Sequence, residues 1–343
     1  MAGQVTLSDV AREAGVSLAT ASRALNGSAN RTVGPELRQR VHAAAARLRY
    51  SPDGIAQAMA RGRTTSLGLV VHDIADPYFA AIAAGAAAAA DEAGLMMTLA
   101  STGRDPRREV ETVGLLERQR ARAVILAGGR TGDPGADDAL RTALDAFRGV
   151  GGSVAVIGQA ALGSSTVAVG NREGAADLVR ALHGRGYRRF AVLAGPGAHA
   201  TAGDRRDGFL DELAALGCPV PPDRVLASPL SRDGAYEATG RLLADRGDVE
   251  VLLALNDVMA AGALAAARDV GVSVPGDLAV AGFDGIETLR DLTPALTTVR
   301  LPLERIGAEA VRLVLAPPSE VPVVVPVLGE VELRESTPGV TGR

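Results

Sequence analysis

TLSDVAREAGVSLATASRALN, residues 6–26, reads as two short amphipathic helices joined by one tight turn, the layout of a motif that places a helix in a DNA groove. Leu7, Val10, Ala11 and Ala14 recur at helical spacing, and Thr6 with Asp9 three residues on makes a capping-box-like start. Gly15 ends the first helix and Ser17 is placed to cap the second. Ala21, Ala24 and Leu25 share an apolar face with the first helix, which leaves Leu18, Ala19, Ser22 and Arg23 pointing outward. Pro35 starts a third helix, whose stripe of Leu37, Val41, Ala44, Ala45 and Leu48 closes a small core.

A three-helix bundle that binds nothing would show the same periodicity, and charge separates the two readings. Residues 1–63 contain nine Arg against four acids, a net +5, whereas the whole chain is −4, so residues 64–343 carry −9. A basic headpiece on an acidic body concentrates attraction for phosphate at one end.

Further blocks then resemble one family. VTLSDVAREAGVSLATASRALNG is similar, nearly position by position, to the headpiece of LacI/GalR transcriptional regulators, and YSPDGIAQAMARGRTTSLGLVV to their hinge and first body strand. NDVMAAGALAAARDVGVSVPGDLAVAGFDG, PALTTVRLPLERIGAEA and ELRESTP resemble the distal signatures, in the expected order over essentially all 343 residues. The resemblance implies an α/β protein with a small all-α helix-turn-helix headpiece (1–50), a hinge (51–63) and an effector-binding and dimerisation domain (64–343). That last part would be a two-lobed, periplasmic-binding-protein-like clamshell of parallel sheets.

On the headpiece, Leu18, Ala19 and Arg23 are expected to read bases, while Thr6, Ser17, Ser22, Asn26, Thr32 and Tyr50 position the DNA backbone, with Thr20 a further DNA-binding residue. SPDGIAQAMA, residues 51–60, is barely two turns of helical composition with Gly54 in its first turn, so it is marginal without DNA. The resemblance implies that paired hinge helices of a homodimer enter the minor groove through Ile55, Ala56 and Met59. Met59 would be the apolar wedge where the family usually has Leu.

From residue 66 the apolar runs LGLVV, LMMTLA, AVILAG, VAVIG, FAVLAG, VLLAL and LAVAGF alternate with amphipathic stretches, which predicts parallel sheets covered by helices. One lobe is expected from about 64–162 plus 296–321, the other from about 163–295 plus 322–343. The Ala-rich run 80–90 predicts a packed helix with Gly85 at a close approach. Ligands of such sheets bind beyond the carboxyl ends of the strands.

The loop after LGLVV carries Asp73, Asp76, Tyr78 and Phe79, in a chain only 3% aromatic. By the resemblance this loop lines an effector cleft together with His199, Arg205, Asn256 and Asp284, with Arg206 a solvated neighbour of Arg205. Carboxylate, amide, guanidinium and aromatic groups together suit a polyhydroxylated ligand, a sugar or sugar derivative. Gly158 and Gly170 stand where many relatives carry a carboxylate. His199 leaves open an acidic or phosphorylated sugar or a purine, and as a lone histidine it also reads as a solvated loop residue.

Enzyme readings lack support. GGRTGDPG at 128–135 has neither the GK[ST] end of a phosphate loop nor GxGxxG and reads as a turn cluster, and GSS at 163–165 is no nucleophile elbow. Four scattered His and the single Cys218 give neither zinc spacing nor a disulfide framework, so no cofactor or metal is expected. No cleavable leader or membrane span is read, which points to the cytoplasm, and no extra leucine-heptad helix follows to join dimers into tetramers. The sum is a dimeric repressor on a pseudo-palindromic double-stranded operator, controlled by a small carbohydrate. Alternatives are a purine- or other corepressor-responsive regulator, an activator, or, in a different class, an exported sugar-binding protein.

Overall fold

The computed structural model describes residues 5–26, 33–50 and 64–340, apart from positions 196, 198, 246 and 320, and only the backbone of Asn26. Thr32, Ile55, Ala56 and Met59 lie outside the described residues. The chain divides into two units, Met1–Thr65 and Ser66–Arg343.

The first unit holds α1 (Leu7–Glu13), α2 (Leu18–Asn26) and α3 (Pro35–Arg47). The Thr6–Asp9 capping box forms, with the Thr6 N–H donating to Asp9 Oδ2 at 3.0 Å and the Asp9 N–H to Thr6 Oγ1 at 3.4 Å. Gly15, at φ 63°, turns the chain, and Ser17 Oγ accepts the Thr20 N–H at 3.1 Å to cap α2. Val10, Ala11, Ala14, Ala21, Ala24, Val41, Ala44 and Ala45 are buried together. Ala at six of these eight positions lets three short helices approach closely. Leu37, expected on the buried stripe, is 37% exposed; it lies in the first turn of α3, ahead of the Val41–Ala45 contact with the other helices.

In the second unit, helices follow strands in the βα alternation that the apolar runs predict. The first lobe contains β1 (Ser66–Val71), α4 (Pro77–Glu92), β2 (Met96–Ser101), α5 (Pro106–Arg118), β3 (Ala123–Ala127), α6 (Pro134–Gly149), β4 (Ser153–Gly158) and β5 (Ser165–Val169). Three of its βα crossings share one device: Asp76-Pro77, Asp105-Pro106 and Asp133-Pro134. Each Asp accepts the backbone N–H two residues on, at 2.9–3.0 Å, and each Pro fills the first helical position, where its missing N–H costs nothing.

The second lobe contains α7 (Asn171–Gly184), β6 (Phe190–Ala194), α8 (Ala200–Ala215), β7 (Val225–Ala227), α9 (Arg232–Ala244), β8 (Val251–Ala254), α10 (Asp257–Asp269) and β9 (Ala279–Ala281). The chain then returns through β10 (Thr298–Arg300) to α11 (Leu303–Leu315), β11 (Val324–Val327) and β12 (Glu330–Glu332). The sheets run β11-β5-β4-β3-β1-β2 and β7-β6-β8-β9, all parallel, with β10 and β12 an antiparallel pair.

Both expected lobe limits are corrected by this topology. Ser165–Val169 extends the first sheet by pairing with β4 and β11, so the crossing follows residue 169 rather than 162. It was hidden because STVAV is short and half polar. Residues 324–327 likewise belong to the first sheet, and only the end of the chain reaches the second lobe, where Ser336 Oγ donates to the Val280 carbonyl at 2.6 Å and Tyr187 OH to that of Pro338 at 2.7 Å.

Gly85 does mark a close approach. A Cβ there would fall 1.9 Å from the Glu304 carbonyl oxygen, and one on Gly307 would fall 2.0 Å from that of Ile82, so α4 and α11 touch backbone to backbone.

Candidate functional site: a cleft between two parallel sheets

The loops at the carboxyl ends of the two sheets face one another across a cleft of about 620 Å³, open mouth included, in the position where ligands of such sheets bind. The start of α4 supplies Asp76, Tyr78 and Phe79, and Tyr78 packs edge-on against Phe79 with ring centroids 5.1 Å apart. Asp76 caps the helix, and burial raises its carboxyl above the usual range. Burial likewise pushes the Tyr78 hydroxyl up, so it stays a neutral donor and acceptor.

Arg205, on the first turns of α8, is 4% exposed. Its Nε donates to Asn171 Oδ1 at 2.8 Å, its Nη1 to the Leu255 carbonyl at 2.8 Å, and its Nη2 lies 2.8 Å from Asp284 Oδ1, with the guanidinium stacked 3.9 Å over the Phe283 ring. The Asp284 contact is an ion pair without hydrogen-bond alignment, and Oδ1 remains buried with no hydrogen-bond partner. Burial drives the Asp284 carboxyl well above the carboxylate range, against the pull of Arg205. The backbone of Asp284 is left-handed at φ 115°. It is held there by its own backbone, whose N–H donates to the Val299 carbonyl at 2.9 Å and whose carbonyl accepts the Leu301 N–H at 3.0 Å, while Asp257 Oδ1 accepts from Thr298 Oγ1 at 2.6 Å and Oδ2 from the Ile286 N–H at 2.8 Å. Asn256 caps α10 through Oδ1, which accepts the Met259 N–H at 2.8 Å, and so offers the cleft its amide as donor.

His199 is neither solvated nor charged. Its Nδ1 accepts the Ala202 N–H at 3.3 Å as the cap of α8, so Nε2 carries the proton of the neutral ring. Burial, then the nearby His72 and the Arg104, Arg205 and Arg130 guanidiniums, lower its pKa to about 4. The native state must therefore keep His199 neutral while the unfolded chain protonates near 6.5, and stability is lost as pH falls from about 6.5 toward 4. His199→Asn keeps a capping side chain without the titration, so it should lose less stability than the parent between pH 7 and pH 5. Urea unfolding of both proteins checks this, and parallel losses would contradict it.

Behind the floor of the cleft lies a buried charge cluster. Both Glu109 oxygens accept from Arg130, at 2.8 and 2.9 Å, and His72 Nε2 is 3.4 Å from Oε1. Burial would raise Glu109, yet its bonds from His72 and Arg130 outweigh that and hold it at about 2. Across the cleft, the Ala200 N–H donates to the Arg130 carbonyl at 2.7 Å, and Gln159 Nε2 donates to Thr201 Oγ1 at 3.1 Å and Asp204 Oδ2 at 3.0 Å.

Of the residues expected here, Tyr78, Phe79, His199, Arg205, Asn256 and Asp284 line the cleft and Asp73 does not. Asp73 Oδ1 instead accepts the Ala75 N–H at 3.0 Å within its own turn, and Asp76 takes the cleft position. Gly158 lines the cleft, whereas Gly170 packs against Leu328. The glycines read as a turn cluster form part of the wall: Gly128 and Gly129 leave room for His72, His199 and Thr201, which a Cβ would displace. Arg104, His72, Asn171 and Thr201 carried no sequence signal beyond their place at strand or helix ends. Among the described residues no group of His, Cys, Asp and Glu could hold a metal ion, and no helix is long and apolar enough to cross a membrane.

In the headpiece unit, α2 presents Leu18, 52% exposed, and the exposed Ala19, with Ser22 and Arg23 half-buried beside them. The Thr6 hydroxyl donates to Asp9 at 2.7 Å, Ser17 and Thr20 share a hydroxyl–hydroxyl bond of 2.9 Å, and Tyr50 packs against the core.

Residues 6–53 match the family model described as bacterial regulatory proteins, lacI family, and residues 179–337 match a periplasmic binding protein-like domain. The chain is 31% identical over 313 residues to the HTH-type transcriptional regulator GalR of Escherichia coli, covering 91% of this chain and 88% of that one. Among solved structures it is similar to a complex of the transcriptional regulator CelR with cellobiose (29% identity, 97% and 100% of the two chains, TM-score 0.71). It is also similar to the Lac repressor bound to ONPG in the repressed state (25% identity, 98% and 100%, TM-score 0.84).

Proposed function

Because this chain belongs to the LacI/GalR family of DNA-binding transcriptional regulators, which are not enzymes, we propose that it represses carbohydrate-metabolism genes as a cytoplasmic homodimer whose operator affinity is set by a small sugar or sugar derivative. The proposed division of labour is a headpiece at 1–50, a hinge at 51–63 and an effector-binding and dimerisation domain at 64–343. Leu18, Ala19 and Arg23 read base edges in the major groove of each half-site. Thr6, Ser17, Thr20, Ser22, Asn26, Thr32 and Tyr50 position the phosphate backbone, and Ile55, Ala56 and Met59 meet the minor groove.

One observation carries the effector reading: the buried, hydrogen-bond-free Asp284 Oδ1 beside Arg205 in a cleft walled by Tyr78 and Phe79. That oxygen has a charged neighbour but no aligned hydrogen bond, and a ligand hydroxyl would supply one. The similar regulator CelR, solved in complex with cellobiose, supports a carbohydrate ligand. Closure of the lobes on the ligand favours one spacing of the paired hinges, and a marginal hinge helix turns that shift into folding or unfolding on DNA.

The test is selection of binding sites for the purified protein from random duplexes, followed by titration of the selected operator with sugars. A two-fold symmetric motif weakened or strengthened by a sugar is the expected result, and a monomeric, asymmetric motif would refute the dimeric reading. On that operator, Arg23→Ala should cost roughly 1–3 kcal/mol and relax preference at one base pair per half-site. Binding assays on singly substituted operators check this, and an unchanged base preference would remove Arg23 from base reading.

A further inference from the structure

Two guanidinium groups line the cleft, and one of them is engaged: Arg205 by Asn171, the Leu255 carbonyl and Asp284, while Arg130, behind the floor, is held by both Glu109 oxygens. Arg104 is different. It lines the cleft, forms no ion pair among the described residues, and its Nε is buried without a hydrogen-bond partner. Its backbone is left-handed at φ 64°, directly after Gly103 at φ 65°. The turn is pinned to the end of β1, with the Thr102 N–H donating to the Val71 carbonyl at 3.0 Å and the Gly103 N–H to that of His72 at 2.7 Å. Left-handed backbone suits glycine and is strained for arginine. Strain and an unpartnered buried donor thus coincide in one side chain of the cleft wall, where neither stabilises the fold.

Gly128, Gly129 and Gly158 line the same cleft and add no side chains of their own to it. Asp76, whose charge Arg104 influences, has an oxygen engaged in capping α4. A neutral sugar would leave the guanidinium with no acceptor matched to its fork, whereas a carboxylate or phosphate accepts two parallel N–H bonds. We propose that Arg104 receives an anionic group, carboxylate or phosphate, of a polyhydroxylated effector whose hydroxyls meet Asp284, Asn256 and His199. The inference rests on the effector-cleft reading above and specifies its ligand class as a sugar acid or sugar phosphate.

The test compares matched probes on the full-length protein: D-glucose, D-gluconate and D-glucose 6-phosphate, and D-galactose, D-galactonate and D-galactose 6-phosphate. Thermal melting and calorimetric titration are read for each, with Arg104→Gly as the variant because glycine fits the left-handed turn. The expected result is that at least one acid raises Tm above its neutral parent and binds Arg104→Gly about tenfold or more weakly, while the variant alone melts no lower than the wild type. The carboxylate and phosphate arms identify which anion is received. Neutral parents that stabilise as well as the acids, or an acid effect that survives in Arg104→Gly, overturn the anion and leave the sugar cleft standing. No stabilisation by any of the six probes, with operator binding also unmoved, overturns both.

Discussion

Arg205→Ala should abolish ligand response and destabilise the Ser66–Arg343 unit by roughly 3–5 kcal/mol, because the Asn171 and Leu255 acceptors and the Asp284 carboxyl are left buried without their donor, at about 1–3 kcal/mol apiece. The side chain ties three segments together: Asn171 at the start of α7, the carbonyl that ends the β8 strand region, and Asp284. Its loss strands a carboxyl that is 2% exposed, an amide oxygen that is almost as buried, and one ring face of Phe283. Arg205→Lys keeps a charge but not the fork, so it should recover part of the stability and little of the ligand response. Denaturation of the full chain, followed with a probe of the second unit, reads the first quantity, and operator titration with an active sugar reads the second. A loss below about 1 kcal/mol with intact response would show that Arg205 is dispensable to both.

Gly85→Ala should be at least as damaging to the fold although it adds a single methyl group. Overpacking costs typically about 1–3 kcal/mol when side chains can yield, and here the obstacle is the Glu304 carbonyl, backbone of a facing helix. The cost therefore belongs at or beyond the upper end of that range, with α4 and α11 forced apart. Gly240→Ala in α9 is the internal contrast, because a Cβ there meets nothing within 4 Å. It should stabilise by about 0.5–1 kcal/mol through helix propensity alone. Melting temperatures that move in opposite directions for the two variants are the expected outcome, and equal shifts would mean that helix propensity, not contact, governs both.

The headpiece was legible because its signals are local: a cap, a turn glycine and a period of 3.6 residues suffice to place Thr6, Gly15 and the Val10–Ala24 core. Leu37 escaped because periodicity says which face a residue occupies and not whether a partner covers that turn. The lobes were legible as alternating strands and helices, but the limit near 162 failed, since membership of a sheet is decided by long-range pairing and β5 announces none in STVAV. Cleft residues on long motifs, Asn256 and Asp284 among them, could be found in sequence. Asp73 and Asp76 could not be told apart there, because both are loop carboxylates and only the helix start selects the second. Arg104 lacked any local signature, as its significance lies in a backbone angle and in the absence of a partner.

The bonds that span the cleft, from Ala200 to the Arg130 carbonyl and from Gln159 to Thr201 and Asp204, also govern time. Where entry requires lobes joined in this way to part, the association rate is the diffusional encounter rate multiplied by the fraction of molecules that are open. Each latch bond strengthened slows both arrival and departure, and each one weakened quickens them. The speed with which such a regulator follows a rising or falling metabolite is therefore tunable at Gln159, away from the groups that decide which metabolite it follows.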